Sequence, residues 1–147
     1  MGDKPTFPSE RTIETMIELA RCPRSHRILV SGSDGANRIF DLNRRGFSRV
    51  ATTATCGLPH GQYDVAWIEW NQYSIKALET TLNWLVHFLA PKSVLVIWIG
   101  SDVVTDKVRL EWTIERLGFD LEAVTRSAHG LAMSARRVDV DQQAVAA

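Results

Sequence analysis

The sequence predicts a doubly wound, three-layer α/β/α domain whose mostly parallel sheet of about six strands ends in an antiparallel hairpin. Apolar runs alternate with segments of helical periodicity, as in folds whose parallel strands are joined by helices. The apolar run 27–30 stops at a turn of small residues, and a helical pattern follows at once, which is a common opening of such sheets. Only residues 128–130 separate the last two predicted strands, and that length permits a hairpin but not a parallel crossover.

Composition narrows the class of protein. The 147 residues suit a single domain, 1–147, with loose tails expected at 1–8 and 139–147. The formal net charge is zero, so nothing indicates a nucleic-acid partner. Two cysteines cannot form a disulfide framework or a CxxC metal site. The longest apolar run, 93–99, is far below the roughly 20 residues that span a bilayer, and no signal segment is visible. We therefore expect a cytoplasmic protein without membrane attachment.

The amino-terminal half opens with a helix that Ser9 can cap and that Pro23 ends. Its apolar face carries Ile13, Met16, Ile17 and Ala20. Strand 27–30 follows, and then a helix over 36–45 that ends at Gly46. That helix is expected to turn Ile39, Phe40 and Leu42 inward. Strands are predicted over 48–55 and 63–70, on either side of a turn-rich stretch.

The carboxyl-terminal half continues the alternation. A helix over 74–89 repeats leucine at helical spacing and is closed by Pro91. Strand 93–99 is the most apolar and is therefore expected at the centre of the sheet. A helix over 105–117 and strands 119–127 and 131–138 complete the chain. The five tryptophans fall mostly on expected core positions, and some could form an oligomer interface; they are Trp67, Trp70, Trp84, Trp98 and Trp112.

Several segments in the same order resemble class I S-adenosylmethionine-dependent methyltransferases, over about residues 25–138. Residues 28–35 lie where that family has its glycine-rich first motif, and 58–67 resemble its "LP-x-G-x-[FY]-D-V" approach to strand four. The remaining similar segments are 42–47, 85–99 and 117–119. The resemblance implies S-adenosylmethionine as cofactor and the strand order 2-1-4-5-7-6 in the family's numbering.

The chain also departs from the family's pattern. The first motif usually reads acidic-x-Gly-x-Gly-x-Gly, and the aligned residues here are Val30, Gly32, Asp34 and Ala36. In the alternative alignment Gly35 is the third glycine, and Ser31 and Ser33 replace the other two. The acid that usually ends strand two and binds the ribose is missing from 52–55. Only seven residues separate Thr55 from Tyr63, so the helix and strand that normally lie between them are expected to be absent.

Two clusters are predicted to line the ligand crevice at the carboxyl ends of the strands. The cofactor turn comprises Ser31, Gly32, Ser33, Asp34 and Gly35. Its helix N-terminus could bind an anion, or Asp34 could simply cap the helix. The substrate mouth comprises Glu69, Trp70, Asn71 and Tyr73, where amino-directed relatives have "[DN]-P-P-[YF]". Alternatively, Trp70 covers a core edge and Asn71 caps a helix. No metal site and no catalytic residue are identified, since the four histidines lack ligand spacing.

Three functional hypotheses remain open at this point. The first is a degenerate methyltransferase-like domain that has lost regular cofactor binding and acts as a small-molecule binding module or an oligomeric partner. The second is an active methyltransferase with unusual cofactor contacts. The third treats 30–38 as a nicotinamide-dinucleotide turn in which Arg38 replaces the third glycine. A homodimer is expected for either of the first two, because the missing segment leaves strand two near an exposed edge.

Overall fold

The computed structural model describes residues 10–21, 23–32, 35–52, 61–70, 75–100, 107–127 and 130–138. Four helices and six strands are present in these ranges. The helices are α1 (Glu10–Ala20), α2 (Gly35–Arg44), α3 (Ile75–Leu85) and α4 (Lys107–Arg116). The strands are β1 (Ile28–Ser31), β2 (Val50–Thr52), β3 (Tyr63–Trp70), β4 (Leu89–Gly100), β5 (Phe119–Ser127) and β6 (Gly130–Arg137). The expected tails, the Ser9 cap and residues 53–55 of the second predicted strand lie outside the described residues.

The six strands form one sheet in the order β2-β1-β3-β4-β6-β5. The first four are parallel, and β6 pairs antiparallel with both β4 and β5. This arrangement confirms the predicted fold class and strand order. After α2 the chain adds β2 on one side of β1, and it then crosses to add β3 on the other side. The topological switch point, where such folds place their ligands, therefore lies between β1 and β3.

Helices cover both faces of the sheet, and a separate core fills each interface. On the face covered by α1 and α2 the core contains Met16, Leu42 and Trp67, none of which is exposed. On the face covered by α3 and α4 it contains Leu78, Leu110 and Ile97. Successive residues of β3 alternate between the two cores, with Val65 and Trp67 in the first and Ala66 and Ile68 in the second.

The boundary between α3 and β4 differs from the prediction. The helix gives way to a 3-10 turn at Val86–Phe88, and Leu89 already belongs to β4. Pairing with β3 passes from Tyr63↔Leu89 directly to Val65↔Val94. Pro91 lies in this interruption, where its missing N–H removes no ladder bond. The proline therefore belongs to an irregular strand start and does not by itself close the helix.

The predicted inward orientation of Phe40 is wrong, and two of the five tryptophans are the exceptions to the mostly buried placement that was expected. Phe40 is 65% exposed, and Trp84 and Trp112 are 46% and 56% exposed. On α2 the residues that face the sheet are Leu42 and, one turn earlier, Arg38, which is only 3% exposed. Hydrophobicity predicted Phe40 inward, but the turn of the helix places the arginine there instead. The other three tryptophans are buried as expected. No helix in the described ranges is long and apolar enough to cross a membrane.

Candidate functional site

The carboxyl ends of β1 and β3 meet at the switch point and form the candidate site. Ser31 ends β1 beside Ile68 of β3, so the next residues along, Gly32 and Glu69, are neighbours. A Cβ atom added at Gly32 would lie 2.9 Å from the carbonyl oxygen of Glu69, and its φ of +150° favours glycine. The two predicted clusters, cofactor turn and substrate mouth, are thus adjacent at Gly32 and Glu69.

Only part of each predicted cluster falls in the described residues. Ser31, Gly32 and Gly35 of the turn are described, as are Glu69 and Trp70 of the mouth. Ser33, Asp34, Asn71 and Tyr73 lie outside the described residues, so the capping roles considered for Asp34 and Asn71 remain predictions. Of the described members, Ser31, Glu69 and Trp70 are buried.

Gly35 begins α2 and allows it to approach the end of β2 closely. A Cβ atom here would lie 2.9 Å from Cγ2 of Thr52, a distance at which one of the two residues would have to shift. In nucleotide-binding turns the third glycine serves close helix–strand packing of this kind. The contact favours the alignment in which Gly35 is the third glycine of the turn. The last described residue of β2 is Thr52. In the family that the sequence resembles, an acidic residue that binds the ribose usually ends this strand.

The mouth carboxylate of Glu69 is held by a buried arginine. Arg38 donates from Nε to Oε2 and from Nη2 to Oε1, the latter at 3.0 Å. Nε1 of Trp67 donates to Oε2 at 2.8 Å. Arg38 and Glu69 are 3% and 8% exposed, so this bidentate pair is almost fully removed from water. The pair joins α2 to the end of β3 at the switch point.

The remaining guanidinium nitrogen of Arg38 extends the network toward the surface. Nη1 donates to Oδ2 of Asp41 at 2.8 Å, and Asp41 accepts a second bond from Arg44 at 3.1 Å. Two arginines therefore balance two carboxylates. Sequence reasoning singled out Glu69 but missed Arg38 as its partner. The pair could have been suspected from the sequence in two steps. Arg38 lies four residues before Leu42, on the same face of α2, and Glu69 is the one charged residue near the end of the third predicted strand.

Two buried indole N–H groups at the same end of the sheet have no hydrogen-bond acceptor in the described part of the chain. They belong to Trp70 on β3 and Trp98 on β4. Trp70 lies in the core under α3 and α4, whereas Trp98 lies in the core under α1 and α2. A buried donor without an acceptor costs about 1–3 kcal/mol. Both side chains nonetheless serve as core residues.

A concavity lies between α3 and α4, away from the strand ends. It encloses about 560 Å³ and is lined mainly by Glu79, Arg109, Trp112 and Arg116. Arg109 donates to both carboxylate oxygens of Glu79, at 2.9 and 3.1 Å, and Oγ1 of Thr113 donates at 2.5 Å. These hydrogen bonds, the one from Arg109 above all, lower the pKa of Glu79 below its usual 4.5. Across the described residues no group of three His, Cys, Asp or Glu side chains could hold a metal ion.

Comparisons with known proteins agree on the fold. A SAM-dependent methyltransferase from Aquifex aeolicus has a TM-score of 0.61 at 12% identity, covering 88% of this chain and 89% of its own. The 1,6-didemethyltoxoflavin-N1-methyltransferase of Burkholderia thailandensis was solved with S-adenosylhomocysteine. Its TM-score is 0.58 at 18% identity, and the match covers 86% of this chain and 77% of that one. The 4+2 cyclase SpnF scores 0.61 at 11% identity, covering 94% and 85%. No protein-family model and no curated protein matches the sequence.

The fold is therefore that of the class I S-adenosylmethionine-dependent methyltransferases. Within it, this chain combines the terminal antiparallel hairpin with a buried arginine–glutamate pair at the switch point. The antiparallel β6 distinguishes the sheet from the all-parallel dinucleotide-binding order. Arg38, which stands at the third glycine of the nicotinamide-dinucleotide pattern, is the buried partner of Glu69.

Proposed function

We propose that this chain is a methyltransferase-fold domain that does not turn over S-adenosylmethionine in the usual way and serves as a binding or assembly module. The observation that carries this proposal is the buried bidentate pair between Arg38 and Glu69 at the switch point. Trp67 donates a third hydrogen bond to the same carboxylate. The acid at the mouth of β3 is thus bound by the protein itself.

The charge of the cofactor supports this proposal. S-adenosylmethionine carries a sulfonium, an ammonium and one carboxylate, so its net charge is positive. Among the described residues at the carboxyl ends of β1 to β4, Glu69 is the acidic one, and Arg38 neutralises it. Separating a buried pair costs about 3–5 kcal/mol, because one charge is left without a partner. A cationic cofactor would have to supply that free energy before gaining any affinity from Glu69.

Proteins with this fold are not all named as methyltransferases, which is consistent with a role other than methyl transfer for this chain. One similar structure is named as a cyclase and not as a methyltransferase. A fold supplies a scaffold, and function depends on the residues placed on it. We infer that the crevice of this chain, if occupied, takes a small molecule that does not require a free carboxylate from Glu69.

Isothermal titration calorimetry tests the loss of cofactor binding. Titration of the full chain with S-adenosylmethionine, and separately with S-adenosylhomocysteine, should give no heat beyond dilution. Arg44→Gln is the control variant, because Arg44 belongs to the same charge network but its side chain is 57% exposed. Like the unaltered protein, this variant should give no heat of binding with either ligand. A micromolar dissociation constant for either ligand would overturn the proposal.

An active methyltransferase is the second candidate, and the close approach of Gly35 to Thr52 favours it. That contact keeps the geometry of the third glycine of a cofactor turn, and one similar structure contains S-adenosylhomocysteine. A ligand that binds only the folded state stabilises it by mass action. Saturating S-adenosylmethionine should then raise the melting temperature, and an unchanged melting curve excludes this candidate.

A further inference from the structure

A concavity also lies at the amino ends of the strands, at the end of the sheet opposite to the switch point. It encloses about 350 Å³ beside the edge strand β2, a volume typical of sites for small molecules. Two arginines, two residues with hydroxyl groups and two apolar residues of β2 line it. We call it the amino-end pocket, and its residues are Arg27, Ser48, Arg49, Val50, Ala51 and Tyr63.

Strand pairing places the two arginines of this pocket side by side. Ile28 and Val50 are partners in the parallel ladder of β1 and β2. The residues immediately before them, Arg27 and Arg49, are therefore neighbours. The backbone N–H of Ile28 donates to the carbonyl oxygen of Arg49 at 2.8 Å, which extends the pairing to this point. Adjacent strands lie about 4.8 Å apart, and two positive side chains that share one pocket at this spacing repel each other.

No carboxylate in the described part of the chain forms an ion pair with either guanidinium. Arg27 donates from Nη1 to the amide oxygen of Gln62 at 2.8 Å, and this neutral partner positions the side chain without removing its charge. Asp64 accepts a hydrogen bond at 2.9 Å, but from the backbone N–H of Arg27, and it does not line the pocket. Arg49 is exposed. The amino-end pocket therefore contains two positive charges and no acidic side chain.

We propose that the amino-end pocket binds the phosphate group of a small phosphate monoester. A phosphate monoester carries a charge of about −1.5 to −2 at pH 7, which matches the two guanidinium groups of Arg27 and Arg49. Each guanidinium presents a planar fork of N–H donors that suits phosphate oxygens, and Gln62 occupies one of the five donors of Arg27. Ser48, which also lines the pocket, adds a hydroxyl donor. The bound dianion removes the repulsion between the two arginines.

The apolar part of the lining indicates that the ligand extends beyond its phosphate group. Val50 and Ala51 are only partly buried, and Tyr63 adds an aromatic side chain to the same wall. A ligand that covers this apolar surface gains affinity that inorganic phosphate cannot gain. We therefore expect an ester with a small apolar group to bind more tightly than inorganic phosphate.

Isothermal titration calorimetry with phenyl phosphate, at pH 7 and about 0.15 M salt, tests the site. The full chain should bind one molecule with a dissociation constant below about 1 mM, and it should bind inorganic phosphate more weakly. Arg49→Gln should weaken the binding of phenyl phosphate at least about tenfold, because one fork and one charge are lost. Arg49→Lys keeps the charge without the fork and should lie between the two. No binding by the unaltered chain, or undiminished binding by Arg49→Gln, would exclude the site.

Arg126→Gln is the matched control for a general loss of positive charge. Arg126 is also an exposed arginine, but it lies on β5, the edge strand on the opposite side of the sheet. This variant should bind phenyl phosphate as the unaltered chain does. If Arg126→Gln loses as much affinity as Arg49→Gln, the attraction is unspecific and the proposal of a defined pocket is wrong.

Phenyl sulfate tests the match of two charges on the unaltered chain. It has the same ring and a tetrahedral anionic group, but it carries a single negative charge. We expect it to bind at least about tenfold more weakly than phenyl phosphate, since it leaves one guanidinium without a countercharge. Equal affinities for the two esters would contradict a phosphate site. This comparison needs no variant, so it decides the question even if Arg49→Gln does not fold, which circular dichroism will show.

These titrations are independent of the proposed function. They contain no S-adenosylmethionine, and the amino-end pocket shares no residue with the switch point, where Gly32 and Glu69 are neighbours. The phosphate site can therefore be absent while the loss of cofactor binding holds, and the reverse outcome is equally distinguishable.

Discussion

Arg38 is the residue on which the candidate site depends most. It is 3% exposed and shares its three guanidinium nitrogens between Glu69 and Asp41. A buried ion pair adds little net stability compared with apolar residues of similar size, because both charges must leave water. Removing one partner is different, since the other charge then remains buried and uncompensated. The pair therefore fixes the geometry of the switch point more than it stabilises the fold.

Replacing Arg38 should be costly unless Glu69 is replaced as well. We expect Arg38→Met to lower the free energy of unfolding by about 3–5 kcal/mol, because Glu69 loses its countercharge. The double variant Arg38→Met, Glu69→Leu should recover only part of that loss, because Nε1 of the buried Trp67 then has no acceptor. Urea unfolding at pH 7 measures both, and the exposed Arg44→Met should change stability by less than about 0.5 kcal/mol. A cost below about 1 kcal/mol for Arg38→Met would contradict the buried pair.

Gly35 is the second informative residue, because the clash that a side chain there would make with Thr52 can be relieved by a second substitution. The Cβ of Gly35→Ala would crowd Cγ2 of Thr52, and such overpacking costs about 1–3 kcal/mol. Thr52→Ser removes that methyl group and keeps the hydroxyl. In the Thr52→Ser background we therefore expect Gly35→Ala to be neutral or slightly stabilising, as alanine favours a helix. Thermal unfolding of the four proteins gives the coupling, and equal costs in both backgrounds would count against the close approach.

At the scale of elements, α3 and α4 are joined by the hydrogen bonds of one carboxylate. Glu79 on α3 accepts from Arg109 and Thr113, both on α4. These bonds favour the charged form of Glu79, and so its pKa is lower in the folded chain than in the unfolded one. The Glu79 carboxylate consequently stabilises the folded state at pH values above its pKa in the unfolded chain. This contribution is lost as the pH falls through the pKa of Glu79 in the folded chain.

This linkage predicts how Glu79→Gln changes acid stability. Between pH 7 and pH 5 the variant should melt below the unaltered protein by a constant margin. Below the usual pKa of 4.5 the margin should shrink, because the unfolded chain binds a proton at Glu79 before the native carboxylate does, and it is lost once the native carboxylate is protonated as well. Glu18→Gln on α1 is the control, since Glu18 is exposed. Melting curves from pH 7 to pH 3 provide the measurement, and a margin that does not change with pH would refute the linkage.

Element boundaries show where local pattern was insufficient. Strands β3 and β5 begin and end at the predicted residues, Tyr63–Trp70 and Phe119–Ser127, since turn residues or short connections flank them. The start of β4 was predicted too late, because Pro91 reads as a helix terminator. In the structure it falls where the pairing with β3 is interrupted. Strand pairing is a contact between distant segments, and no periodicity within 89–93 reports it.

At the scale of the whole molecule, the strand order was predictable because each step is constrained by the lengths of its connections. Helical crossovers require parallel neighbours, and the short link between β5 and β6 requires an antiparallel one. The order β2-β1-β3-β4-β6-β5 also needed the resemblance to class I methyltransferases, which indicates that β3 is added on the other side of β1 from β2. The carboxyl ends of β1 and β3 then become the expected site, and there Gly32 and Glu69 are neighbours.

By itself the sequence determined the fold class and the parallel or antiparallel direction of the strands, because hydrophobic period, turn residues and connection length are local properties of the chain; the strand order also needed the resemblance to a known family. Only the tertiary structure decided that Glu69 is bound by Arg38, 31 residues away, and that Trp84 and Trp112 face outward while Trp67 and Trp98 are buried. The physical reason is the same in each case. Burial and ion pairing depend on which distant surfaces meet, and one residue's chemistry does not specify its neighbours.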